Sequence, residues 1–136
     1  MIKKISLLPA LFLLLISFCK TPMNISYTYS DGSGNQFLIS PGSFEYIPVK
    51  PENSSSGIYD GGDPLKKKIS KKEFKSLSQL LERGISEKDI LQNREKGTGM
   101  IEKKQGTSYA SCILPMENPV KKEIESELKK HRQKNK

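Results

Sequence analysis

The chain of 136 residues has no tryptophan, one histidine, two cysteines and three arginines, Arg83, Arg94 and Arg132. Each scarcity closes a class of function. The lone His131 lies in the highly charged stretch after Leu128, has no second histidine or cysteine beside it, and reads as an exposed surface residue rather than a metal ligand or base. Neither H-E-x-x-H nor G-x-S-x-G occurs, and the carboxylates are scattered among lysines as surface charges are, so the chain reads as a non-enzyme with no metal and no cofactor. The glycine-rich stretches lack the Gly-Lys-Ser/Thr ending of a nucleotide-binding loop. Few arginines, and lysines without interleaved aromatic residues, argue against a nucleic-acid partner. The longest apolar run, Ile5 to Ile16, falls short of the ~20 residues that a membrane-spanning helix needs.

What is present first is an address. Lys3 and Lys4 precede that apolar run, and Cys19 closes it, the layout of an export signal. Ile16-Ser17-Phe18-Cys19 resembles the lipoprotein signal of bacteria in its relaxed, spirochaete-type form, with an aliphatic residue three before the Cys and a small one two before. Phe18 stands where that signal normally carries Gly, Ala or Ser. The resemblance covers the signal and the Lys/Ser/Asn-rich composition. It implies removal of residues 1–18, acylation of Cys19 and anchoring to a bacterial membrane at its periplasmic face or the cell surface. The partners implied are membrane lipid through Cys19 and an envelope or host protein. Two other readings stay open: ordinary cleavage after Cys19, releasing a soluble chain from Lys20, and an uncleaved anchor.

The mature chain suits one small domain. A tether over 19–22, a single α+β domain over 23–128 and a basic tail over 129–136 are expected, the oligomeric state being open. Met23, Ile25, Tyr27 and Tyr29 alternate with polar residues, the period of a half-buried strand. Asp31 to Asn35 is a turn rather than a calcium loop, since Gln36 and Gly42 stand where an EF-hand needs Gly and Glu. Strands over 36–40 and 43–49 follow, the latter placed at an edge or an end by Pro48. Ser70 and Glu73 have capping-box spacing, Ile69 can staple onto Phe74, and Phe74, Leu77, Leu80 and Leu81 share one face. This predicts a helix over 71–83, stopped by Gly84. Ile85-Ser86-Glu87-Lys88-Asp89-Ile90 repeats the helix-start pattern and predicts a second, short helix to about Lys96. A hairpin near 99–114 and a helix opened by Asn118-Pro119, with Glu125 and Lys129 as an i,i+4 pair, complete a small antiparallel sheet packed by helices.

Three candidates for interaction remain. The loop from Pro51 to Pro64 holds Ser56, Gly57, Tyr59, Asp60, Gly61 and Gly62, a candidate partner-binding loop; Glu52, Asp60 and Asp63 lack an ordered metal-ligand spacing there. Lys66, Lys67, Lys68, Lys71 and Lys72 form a basic surface suited to anionic lipid head groups or an acidic partner. Cys112 lies in an apolar context and reads as a buried, inert thiol. Finally, Ser56-Gly57, Gly61-Gly62, the lysines and a helix with Leu77, Leu80 and Leu81 follow an order similar to small emfourin-type metalloprotease inhibitors. That resemblance, over about thirty residues, implies as an alternative a soluble exported inhibitor-like module.

Overall fold

The computed structural model describes residues 24–134; the expected export signal, Cys19, the expected tether, Met23 and residues 135–136 of the expected tail lie outside them. The fold is α+β: a six-stranded antiparallel sheet with two helices packed against it. The strands are β1 (Ile25–Ser30), β2 (Gln36–Ser40), β3 (Ser43–Ile47), β4 (Leu65–Lys68), β5 (Gly99–Gln105) and β6 (Ser108–Leu114), and the helices α1 (Lys71–Ile85) and α2 (Pro119–Gln133). Their spatial order is β4-β3-β2-β1-β5-β6, so β1 pairs with both hairpins. Alternation decides which face is buried. Tyr27, Tyr29, Phe37, Ile39, Phe44, Tyr46, Ile101, Cys112 and Leu114 form one core with Leu77, Leu80 and Leu81 of α1 and Val120, Ile124 and Leu128 of α2.

α1 begins as its sequence predicts: the Glu73 amide donates to Ser70 Oγ at 3.1 Å, and the Ser70 amide donates to Glu73 Oε2 at 2.8 Å. Its end differs from expectation. Gly84 lies inside the helix, buried, and a Cβ there would sit 2.4 Å from Ile101 Cδ1 and 3.1 Å from Ile124 Cδ1. The glycine serves close approach of helix to sheet, not termination. The helix closes at Ser86, whose amide donates to the Glu82 carbonyl at 3.0 Å, while the Glu87 amide donates to the Gly84 carbonyl at 3.2 Å. This overturns the expected second helix. With Ser86 in helical backbone as the C-cap of α1, it cannot adopt the extended geometry of an N-cap. Residues 87–96 are irregular instead, bending at 88–89 and 92–93, and Leu91 bridges to Ile113 at the outer edge of β6.

β4 also lies beyond the sequence reading, which expects a basic surface there and places β3 at an edge or an end: β3 ends at Ile47, directly before Pro48, and β4 takes the edge. Leu65 to Lys68 pairs with β3, so its side chains alternate between faces. Lys67 turns toward the helices, its ammonium 5.5 Å from the Phe44 ring centre and donating to the His131 carbonyl, an aliphatic stem buried with its charge at the margin.

The expected tail is the third correction. α2 continues to Gln133, and His131 is only 5% exposed. Its ring lies 5.7 Å from that of Phe44. Glu125 is taken up by Lys121 at 3.0 Å and by the Tyr29 hydroxyl, rather than by Lys129. At the other end Asn118 caps as predicted, its Oδ1 accepting from the Lys121 amide.

Candidate functional site

One end of the sheet opens into a cleft of about 870 Å³. Its floor is aromatic, from Phe37 and Tyr46, and its rim carries Tyr59 and Met116. One wall is the stripe Lys121, Glu125, Lys129 and Arg132 of α2; the facing wall comes from the β1–β2 turn and from Lys96-Gly97 ahead of β5. The stripe follows from helical periodicity. Those residues lie one position C-terminal to the core positions Val120, Ile124, Leu128 and His131, so they border the buried face.

Asn35 holds the rim together. It is 3% exposed, its amide nitrogen donates to Asp31 Oδ2 and to the Tyr59 hydroxyl, each at 2.8 Å, and its Oδ1 accepts from the Val49 amide at 2.9 Å. Asp31 Oδ1 in turn accepts from the amides of Ser33 and Asn35. The turn predicted from Asp31 to Asn35 is therefore real, and its polar groups are engaged by the fold. Arg132 lies over Tyr46, its guanidinium carbon 4.1 Å from the ring centre, and donates to the Gly61 carbonyl at 3.0 Å. Burial raises the Tyr46 phenol above its usual range although Arg132 opposes the shift, and its hydroxyl donates to the same Gly61 carbonyl.

The loop picked out from sequence divides in two. Its base is fastened: the Gly61 amide donates to the Val49 carbonyl, and a Cβ at Gly61 would fall 2.3 Å from Asn35 Oδ1. Gly62 has φ +87°, its amide donates to Asp60 Oδ1, and Asp60 faces Lys50 at 3.8 Å. Its tip is open, with Ser56 Oγ accepting weakly from the Ile58 and Tyr59 amides and Ile58 left 84% exposed. Of the six loop candidates, Tyr59 lines the cleft; Ser56, Gly57, Asp60, Gly61 and Gly62 do not. Among the described residues no group of three or more His, Cys, Asp or Glu side chains is placed to hold a metal.

The basic residues also separate. Lys68, Lys71 and Lys72 are exposed, and Lys66 faces Glu45 at 3.4 Å on the open face of the sheet, while Lys67 is drawn inward. Cys112 is buried as predicted, its thiol donating to the Gly84 carbonyl at 3.5 Å, and burial pushes its pKa up. His131 keeps its imidazole below the usual pKa because of burial first and the Lys67 ammonium second. The two side chains best suited to nucleophile and base chemistry therefore sit in the core, outside the cleft lining.

Sequence reasoning missed the cleft because it assembles from six separated segments, although the Lys121, Glu125, Lys129, Arg132 spacing was a usable sign of a polar stripe beside the core face. No protein-family profile matches this chain, and no curated protein has significant sequence similarity to it.

Proposed function

We propose that the chain is an exported bacterial lipoprotein, acylated at Cys19, whose folded domain is a binding module of the cell envelope rather than an enzyme. One observation carries this reading: the two ends of the sheet differ in character. β1 starts a few residues after Cys19, at the end where Lys68 lies opposite Ser43 and Lys104 opposite Ser26, and where α1 begins with Lys71 and Lys72. Those lysines are exposed. A tether entering there sets a basic surface against anionic head groups, with each lysine near the surface contributing about 1 kcal/mol. The cleft opens at the opposite end, beyond Ser30, about 20 Å further along β1 by strand rise. It faces away from the membrane, toward a partner in the envelope or outside the cell.

The test is intact mass of the exported chain together with detergent-phase partitioning. Acyl mass on Cys19, and movement of Cys19→Ala from the detergent phase to the aqueous phase, are expected. A wild-type chain that starts at Lys20 and stays aqueous sinks the proposal.

A soluble inhibitor-like module is a second reading, favoured by the projecting Ile58 at the loop tip, a side chain placed to enter a pocket on another protein. Titration of a thermolysin-like protease with the exported chain tests it. Unchanged protease activity at micromolar concentration removes it.

A further inference from the structure

We infer that the cleft takes a small organic anion, a molecule with a flat apolar body and one carboxylate, sulfonate or phosphate group. The inference rests on the binding-module reading and names the ligand class of that site. Size comes first: about 870 Å³ lies within the ~300–1,000 Å³ usual for small-molecule sites and is small for a folded partner. The apolar body would lie against Tyr59 and Met116, 38% and 53% exposed, over a base formed by Phe37 and by Tyr46 beneath the Arg132 guanidinium.

Charge decides the rest. Both carboxylates of the cleft are already engaged within the fold. Glu125 accepts from the Tyr29 hydroxyl at 2.7 Å and faces Lys121 Nζ at 3.0 Å, and Asp31 accepts from two backbone amides and the Asn35 side chain. Of the four cations, Lys121 is paired with Glu125, and Arg132 lies over Tyr46 and donates to the Gly61 carbonyl. The other two, Lys96 and Lys129, are exposed, and their side chains make no hydrogen bond or ion pair among the described residues. The unmet charge is positive and borders an aromatic floor, which suits an anion joined to an apolar plane. The source is a free molecule, not a head group of the anchoring leaflet, since the cleft opens at the end of β1 away from Cys19.

Calorimetric titration of the full exported chain, at one detergent concentration throughout, compares 2-naphthalenesulfonate with the neutral 2-naphthalenemethanol. Saturable binding of the sulfonate is expected, weakened about tenfold in Lys96→Gln/Lys129→Gln and about tenfold weaker for the neutral probe. Lys75→Gln/Lys88→Gln, exposed and outside both the cleft and the basic surface, serves as the control for general charge and keeps wild-type affinity. Melting midpoints equal to wild type verify that the variants fold. Equal affinity for the two probes, or a control variant that weakens the sulfonate as much as the cleft variant, overturns the anion inference and leaves the binding module standing. Absence of saturable binding by either probe overturns both the inference and the role of the cleft. None of these results bears on acylation of Cys19, which intact mass decides separately.

Discussion

α1 and α2 are each 15 residues long and lie on the same face of the sheet, but their ends are held by different means. The start of α1 is closed by a reciprocal cap between Ser70 and Glu73, a contact between near neighbours in the chain. Asn118 caps α2 locally too, yet its amide nitrogen also donates to Glu87 Oε2 at 3.1 Å, which ties the cap to the turn segment after α1. The last turn of α2 depends on distant residues altogether: Phe44 under His131, Lys67 on the His131 carbonyl, Tyr46 under Arg132 and Glu73 facing Lys134 at 3.6 Å. Bidentate contact between Arg83 and Glu123 joins the helices at their surface. A stretch without aliphatic residues is therefore structured by tertiary contact.

The most severe way to break this comparison is to empty the core beneath each helix. Leu77→Ala and Leu128→Ala, each removing a side chain 1% exposed, should each cost about 2–5 kcal/mol in urea unfolding. A cost below ~1 kcal/mol for Leu128→Ala alone would mean that the second half of α2 is not docked as α1 is. Next comes Gly84→Val. Valine has the higher helix propensity, but its branches would press into Ile101 and Ile124, and a net loss of about 1–3 kcal/mol is expected. A raised thermal midpoint would show slack between α1 and β5.

The caps should differ less. Ser70→Ala is expected to cost about 1 kcal/mol, and Asn118→Ala at least as much because Glu87 also loses its donor. Equal guanidinium midpoints for both variants and wild type would remove local capping as a source of stability.

The smallest effect is one of pH. The folded imidazole of His131 has a pKa below 6.5, so as pH falls the unfolded chain takes up this proton first. Stability from this group is complete above about pH 6.5 and declines below it, by at most about 1.4 kcal/mol per pH unit. His131→Gln should flatten that component of the melting curve between about pH 7 and pH 5. Identical slopes in variant and wild type would place the imidazole in solvent.

Most of the sheet was legible in the residue pattern. The alternation through Tyr27 and Tyr29, the turn residues Asp31 to Asn35, and the Ser70 and Asn118 caps are read over a few neighbouring residues, and the structure agrees at each. The failures have a common cause. β4 carries three lysines in four residues and looks solvated until β3 is there to pair with it. Ser86 satisfies the local pattern of a helix start, yet its backbone is already committed to ending α1. At the candidate site, Tyr59 of the loop lines the cleft, while Gly61 and Gly62 permit close packing and a turn, which depend on Asn35, Pro48 and Arg132 far along the chain.

Local pattern was enough to specify the alternating strands, the two capped helix starts and the burial of Cys112, because these follow from side-chain period and from bonds between near neighbours. Long-range packing settled where α1 ends, that the basic segment Leu65–Lys68 has a strand to pair with, and that His131 is inside. It also brought Phe37, Tyr46, Tyr59, Met116 and the charged stripe of α2 around one cleft. Each of these depends on residues far apart in the chain, and no local preference encodes that proximity.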